Sequence, residues 1–161
     1  MGPLISSQQL QRVSDYVAVA QEEGAELVSG GRVAEEAERY GGFFYCPTLF
    51  DRVSRDSRLA REEVFGPVLA VLPFDTEDEA VSLANSAEYG LVCGVWTRDV
   101  SRAHRVAGRL DAGQVYVNGY GAGGGVELPF GGYKKSGFGR EKGVEALNSY
   151  LQTKNICIRL G

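Results

Sequence analysis

The chain has 161 residues, of which 43% are hydrophobic and 24% charged, with a net charge of −4 and a pI near 5.1. Length and composition are those of one soluble globular domain with enough chain to bury a core. An acidic balance supplies no basic face for nucleic acid. No apolar run approaches the roughly 18 residues of a membrane span, and MGPLISSQQLQRV has no signal-peptide pattern. Three cysteines, an odd number without paired spacing, point to a reducing, cytoplasmic setting.

In chain order, Ser6 and Ser7 can cap a helix and Gly24 can close it, with Leu10, Val13, Val17 and Ala20 on one face. Residues 26–29 are a short strand candidate, and 32–42 a polar surface excursion. FFYCPTLF at 43–50 is β-rich, and Pro47 predicts an edge or interrupted strand. From Val64 onward the pattern is regular. Residues 68–74 form a nearly continuous apolar strand. Thr76 and Glu79 form a capping box ahead of a helix with Ala80, Leu83, Ala84 and Ala87 inward. Residues 91–97 are a second strand. Asp99 caps a helix whose inner face is Val100, Ala103, Val106, Ala107 and Leu110. Residues 114–118 are a third strand. This β-α-β-α-β order predicts a parallel sheet with right-handed crossovers. Residues 140–151 read as a helix with Val144, Leu147 and Leu151 inward. Ile156, Ile158 and Leu160 alternate with Asn155, Cys157 and Arg159 as in a half-buried strand, one that wants a partner sheet, which another subunit can supply.

The segment 119–139, GYGAGGGVELPFGGYKKSGFG, holds nine of the 22 glycines together with Tyr120, Phe130, Tyr133 and Phe138. It follows the third strand, the edge at which open parallel sheets bind ligands. Too aromatic for a flexible linker, it reads as a shaped loop that meets a ligand or another piece of protein. Gly119, Gly121 and Gly124 match G-x-G-x-x-G, but the helix this fingerprint should open is blocked by Pro129 and Gly131-Gly132, so it is a weak pyrophosphate site. Lys134, Lys135 and Ser136 lack the spacing of a phosphate loop. The sole histidine, His104, lies in mid-helix between Arg102 and Arg105 and reads as a solvated residue. Cys46, Cys93 and Cys157 read as small packed hydrophobes rather than nucleophiles. Arg61-Glu62-Glu63-Val64-Phe65-Gly66-Pro67 is a stiff turn. It is either a solvated turn or a carboxylate that accepts hydrogen bonds from hydroxyls, such as a sugar's, beside a stacking ring; residue chemistry leaves the two even.

EEVFGP at 62–67, Tyr89-Gly90-Leu91, Val117-Asn118 and PFGGYKKSGFG at 129–139 together resemble the aldehyde dehydrogenase superfamily, and the resemblance covers essentially the whole chain. It implies an α/β fold with a parallel, Rossmann-like three-layer sheet, with 1–152 part of the catalytic domain and 153–161 a C-terminal oligomerisation strand. It implies oxidation of an aldehyde to a carboxylic acid through a cysteine thioester, with NAD or NADP as cofactor. By the same resemblance Glu63 contacts the nicotinamide ribose, Phe65 lies by the nicotinamide, and Tyr120, Gly121 and Phe130 line the route of the aldehyde substrate. The family's cofactor domain, general base and nucleophilic cysteine lie upstream of the matching segment, and none of the three cysteines stands in the nucleophile motif. The implied partners are the upstream half of the enzyme and further copies of the chain, with neither nucleic acid nor membrane. Isolated, the chain is expected to be inactive. The competing expectations are a non-catalytic remnant serving as an oligomerisation or interaction module, and a dinucleotide binder using Gly119, Gly121 and Gly124.

Overall fold

A computed structural model describes residues 1–120 and 125–161, and only the backbone of Glu36 and Glu38. The chain divides into two compact units, Met1–Ala87 and Glu88–Gly161. Both mix helix and strand, so the α/β class expected from the sequence is present.

The first unit begins with α1 (Ser7–Glu22). The hydroxyl of Ser6 accepts from the Gln9 amide at 3.2 Å, and Gly24 takes φ +88° just beyond the C-terminus. These are the start and stop that the sequence marks. The buried face is Val13, Tyr16, Val17 and Ala20. Strand β1 (Glu26–Ser29) and the short helix α2 (Glu36–Tyr40) lead to β2 (Thr48–Asp51), α3 (Arg58–Arg61), β3 (Val68–Ala70) and α4 (Glu77–Asn85). The sheet order is β1-β2-β3, with β1 antiparallel and β3 parallel to β2.

Strand β2 is therefore the middle strand, not the edge that Pro47 suggested. Proline lacks an N–H, but Pro47 stands one residue before the first ladder position, and the first strand amide, that of Thr48, donates to the Pro67 carbonyl at 2.8 Å. Phe50, fully buried at the centre of the sheet, packs in one cluster with Val13, Val17, Ala20, Tyr45, Val53, Leu59 and Val64. The helix α3 lies just before the turn read at 61–67, in a stretch to which the sequence assigned no element. At four residues it is too short for a periodic signal, and its cap, Ser57 accepting from Ala60 N, was the only sequence mark. In α4 the expected capping box forms: Thr76 Oγ1 accepts from the Glu79 amide, and the Glu79 carboxylate in turn accepts from the backbone amides of Asp75, at 2.9 Å, and Thr76. Its buried residue is Val81, and Ala84 faces outward.

The second unit contains β4 (Tyr89–Gly90), β5 (Val92–Val95), α5 (Val100–Ala107), β6 (Gln114–Val117) and β7 (Tyr133–Lys134). Strands β5 and β6 run parallel across α5, which Asp99 caps as expected, and β4 pairs antiparallel with β7. Ala103 is the buried residue of α5, while Val100 at its first turn is 69% exposed. The parallel ladders are thus β2–β3 and β5–β6. The α-helix expected over 140–151 is instead a 3₁₀ helix, Val144–Ser149, entered through Gly143 at φ +62°. Its large apolar residues stay outward among the described residues: Val144 is 78% and Leu147 56% exposed. A helix this short draws its stability from tertiary burial, so without burial no α-helix propagates. Residues 155–160 find no ladder partner among the described residues and are exposed throughout, so the half-buried strand expected there does not form within this chain. An isolated strand has no ladder to satisfy it. Cys157 is accordingly exposed, not packed as expected, whereas Cys46 and Cys93 are half-buried.

The burial pattern sets relative costs. Phe50→Ala, at a fully buried side chain, is expected to lower unfolding free energy by about 3–5 kcal/mol. Leu147→Ala, on an exposed face, is expected to change it by no more than about 0.5 kcal/mol. Urea titration followed by circular dichroism checks both, and equal midpoints for the two variants would contradict this core.

Candidate functional site

The loop 62–67 in the first unit is built by alternation. Val64 is buried in the core cluster, and its two neighbours, Glu63 and Phe65, are thereby turned outward. Phe65 is 73% exposed and sits at φ +57°, a conformation that only asparagine, aspartate and glycine adopt with ease. Gly66, next in the chain, has no room for a side chain: a Cβ there would collide with Cγ2 of Val13.

Three residues of α1 spaced at i, i+3 and i+7 hold this loop. Gln9 Nε2 donates to the carbonyls of Val64 (3.0 Å) and Phe65 (2.8 Å). Arg12 Nη2 donates to the carbonyl of Glu63 at 2.6 Å, and its Nε lies 3.4 Å from the Val64 carbonyl. The Tyr16 hydroxyl donates to Glu62 Oε2 at 2.6 Å. Arg58, from α3, forks onto the same carboxylate at 3.0–3.2 Å. The guanidinium carbons of Arg12 and Arg58 stand 5.0 and 5.1 Å from the centre of the Tyr16 ring, a cation–π pair of contacts.

The electrostatics follow from these bonds. Hydrogen bonds from Arg58 and Tyr16 hold the Glu62 carboxyl below the usual carboxylate range. The same bond to Glu62, with burial, pushes the Tyr16 phenol up. The two adjacent carboxylates therefore differ. Glu62 is consumed by protein partners. Glu63 makes no side-chain hydrogen bond or ion pair among the described residues, and it lines an open groove of about 910 Å³ together with Phe65, Gln9, Arg12, Tyr16 and Arg58. A carboxylate is acceptor-only, so this groove offers two acceptor oxygens beside an exposed ring. The sequence pattern could not separate the two glutamates, and the polar stripe of α1 was missed altogether. Its signal, Gln9, Arg12 and Tyr16 at helical spacing, reads in sequence as an ordinary solvated face.

In the second unit, Phe130 and Glu141 exchange backbone hydrogen bonds at 2.6 and 2.7 Å, closing the loop between them. Gly131 comes so close to Gly113, at the start of β6, that a Cβ on Gly113 would overlap the Gly131 carbonyl oxygen. Arg140 Nη1 donates to the carbonyls of Gly132 (3.3 Å) and Gly139 (2.5 Å). The result is a groove of about 720 Å³ lined by Phe130, Ser136, Phe138, Arg140, Lys142 and Tyr150, among others. The Lys142 ammonium stands 5.7 Å from the Phe130 ring centre. Tyr120 does not line this groove; it is 68% exposed, with its ring 6.4 Å from that of Tyr116. Gly121, and with it Gly124 of the glycine fingerprint, lies outside the described residues. The residues that follow, 126–129, make a turn and not the helix the fingerprint needs. His104 is exposed on α5, as expected. Burial pushes the Cys93 thiol up, away from the thiolate a nucleophile requires. Among the described residues no group of histidine, cysteine and carboxylate side chains could hold a metal ion, and no helix is long and apolar enough to cross a membrane.

The first unit of this α/β chain thus carries a carboxylate–ring loop locked onto a helix, and the second an aromatic groove built on glycine contacts. The chain belongs to the aldehyde dehydrogenase family, whose sequence pattern matches residues 1–156. It is 48% identical over its whole length to a betaine aldehyde dehydrogenase of Mesorhizobium japonicum and 45% identical to the 4-trimethylaminobutyraldehyde dehydrogenase of Homo sapiens, covering 33% of each. The chain thus spans about a third of the length of the curated relatives it matches. Among solved structures it matches an aldehyde dehydrogenase of Bacillus cereus in complex with NAD+, with a TM-score of 0.92 and 42% identity over 100% of this chain and 32% of that one. An indole-3-acetaldehyde dehydrogenase in complex with NAD+ matches with a TM-score of 0.92 and 45% identity over 99% of this chain and 32% of that one.

The bonding of Glu62 makes acid stability a test of the lock. Its folded carboxyl titrates below an unfolded glutamate's, at about 4.3, so its contribution is present above that value and is lost as pH falls through the folded value. Glu62→Gln is expected to lower Tm at pH 7 and to make Tm fall less between pH 6 and pH 3 than in the parent chain. Thermal melts across that range check it, and parallel acid profiles for the two proteins would refute the lock.

Proposed function

We propose that this chain is the C-terminal portion of an NAD(P)-linked aldehyde dehydrogenase. In this reading it has the family's Rossmann-like, three-layer catalytic fold over 1–152 and an oligomerisation strand over 153–161. The observation that carries the cofactor assignment is the division of labour between Glu62 and Glu63: one glutamate fixes the loop and leaves the other with free acceptor oxygens beside an exposed ring. A ribose diol presents two hydroxyl donors, and the ring face of Phe65 suits a flat heterocycle, so these residues fit the nicotinamide-ribose end of a dinucleotide. NAD is supported over NADP by the NAD+ complexes among the structural neighbours. When bound, the cofactor supplies the acceptor for the hydride that leaves the aldehyde carbon.

The chain's own residues bind and orient. Glu63 accepts from the ribose hydroxyls, and Phe65 bounds the nicotinamide. Phe130 gives the aldehyde an apolar wall, with Tyr120 and Gly121 on the same loop. The relatives named for betaine aldehyde and 4-trimethylaminobutyraldehyde make small aldehydes the first substrates to try. We assign no catalytic residue to this chain. Cys93 is held as a thiol by burial, and Cys46 is half-buried. Cys157 stands on an exposed tail with no described hydrogen-bond partner to activate it. The nucleophile and general base are assigned to the remainder of the enzyme.

A non-catalytic oligomerisation module is the second reading, favoured by Ile156, Ile158 and Leu160, which are 73%, 77% and 89% exposed on one alternating face. Such a face is completed by strand addition to another copy. In both readings the chain forms a dimer or larger species, and a monomer by light scattering at high concentration would count against both.

Activity separates the two. The chain alone is expected to give no aldehyde-dependent NADH, and co-expression with the preceding two thirds of the enzyme to restore it. In that assembly Phe130→Ala is expected to lower kcat/KM for the aldehyde by about tenfold, the loss of one well-packed aromatic contact. Robust NADH production by the isolated chain would overturn the proposal, and a restored assembly without activity would leave the module reading standing.

A further inference from the structure

We infer that the stripe Gln9–Arg12–Tyr16 on α1, together with Glu62 and Arg58, is a positioning device that sets dinucleotide affinity by aiming Glu63 and Phe65, and is not merely part of the fold's framework. This rests on the assignment of Glu63 to the cofactor ribose.

The argument is one of stoichiometry and position. Three consecutive carbonyls, those of Glu63, Val64 and Phe65, all accept from side chains of a single helix face. Loop carbonyls at a surface are ordinarily left to water. Here their capture fixes the peptide planes on both sides of the Phe65 Cα and stabilises a left-handed residue that would otherwise relax to extended backbone. With those planes fixed, the Glu63 side chain can leave the backbone in one direction only, into the groove it shares with Phe65.

The Tyr16–Glu62–Arg58 latch anchors the other end of the loop. It occupies the first carboxylate with two donors, so Glu62 cannot compete for ligand hydroxyls or swing across Glu63. The hydrophobic core does not depend on these bonds. The loop's anchor in the core is Val64, and the ring of Tyr16 is buried independently of its hydroxyl. A device that held only the fold would have no reason to leave one of two adjacent carboxylates partnerless and to arrest an exposed phenylalanine in a costly conformation.

The device acts before the cofactor arrives. Binding to a loop already in its bound shape avoids the ordering cost that a mobile loop would incur at that moment. Its loss should therefore appear as weaker dinucleotide binding and a higher KM for the cofactor, with kcat nearly unchanged.

The test uses the assembled enzyme containing this chain and its Tyr16→Phe, Glu62→Gln and Glu63→Gln variants. NADH binding is read from the fluorescence of the reduced nicotinamide, amide exchange over 62–66 by mass spectrometry, and global stability from Tm. Tyr16→Phe and Glu62→Gln are expected to raise the NADH Kd about fivefold or more, the scale of one intramolecular hydrogen bond, and to speed exchange in 62–66 by more than in the core strand 48–51. Glu63→Gln is expected to raise Kd without altering exchange. Faster exchange with unchanged Kd in Tyr16→Phe and Glu62→Gln, alongside a raised Kd in Glu63→Gln, would overturn the inference and leave the cofactor assignment intact. An unchanged Kd in Glu63→Gln would remove the assignment and the inference with it. Arg58→Lys provides the conservative control: it retains the charge but not the fork, and is expected to fall between the parent and Glu62→Gln in Kd.

Discussion

The first unit turns on how Phe65 is kept at positive φ. That conformation costs a residue with a Cβ roughly 1–2 kcal/mol. Each intramolecular hydrogen bond returns about 1 kcal/mol net, and the loop receives four contacts from Gln9 and Arg12, one of them long at 3.4 Å. The balance therefore favours the loop only while α1 stays docked, and α1 is docked by Val13, Val17 and Ala20 in the core. Gly66 ties the two together, because its bare backbone lies against Val13, the centre of that helix face. Core packing and the geometry of the candidate site are thus one constraint, carried by adjoining stripes of a single helix that share Tyr16.

The second unit solves the same problem by different means. Its loop is held not by side chains reaching carbonyls from a helix but by backbone meeting backbone. Phe130 and Glu141 exchange amide hydrogen bonds, and Gly131 presses on Gly113 where no side chain would fit. A glycine at such a contact costs conformational entropy in the unfolded chain, and the contact supplies in exchange a fixed direction for the Phe130 ring. The site chemistry differs accordingly: an anionic acceptor beside a ring in one unit, and aromatic surface with Arg140 and Lys142 in the other.

Local chemistry was legible in the sequence wherever one residue decides the outcome. Ser6, Thr76 and Asp99 cap their helices, Gly24 ends α1, and the strands at 68–70, 92–95 and 114–117 lie within the apolar runs that predicted them. What depended on a partner was not legible. The edge status of β2 was misjudged because Pro47 was weighed without knowing where the ladder begins. The helix expected at 140–151 and the strand at 155–160 were read from apolar patterns that, within this chain, have nothing to cover them. Periodicity reports what a segment would bury, not whether a surface exists to bury it against. At the site, the motif EEVFGP marked the loop, but which glutamate remains available depends on Arg58, four residues before, and on Tyr16, 46 residues away, a separation no local pattern spans.

The apolar residues left outward carry the argument one step further. Phe138 is fully exposed, and Tyr150, Leu151, Ile156, Ile158 and Leu160 all expose two thirds of their surface or more. Singly such residues need no explanation, but together they leave a broad apolar surface open in the second unit. The contrast is sharpest between the two halves of the same chain: Phe50 and the residues around it are buried, whereas the 3₁₀ helix Val144–Ser149 has no buried residue. Burial at roughly 25 cal/mol per Å² is the main term that could convert the second region into regular structure. The sequence there already carries helical and alternating apolar patterns ready to use it. Within this chain the second unit keeps its apolar surface open, whereas the loop that presents Glu63 and Phe65 is held by bonds made within the first unit.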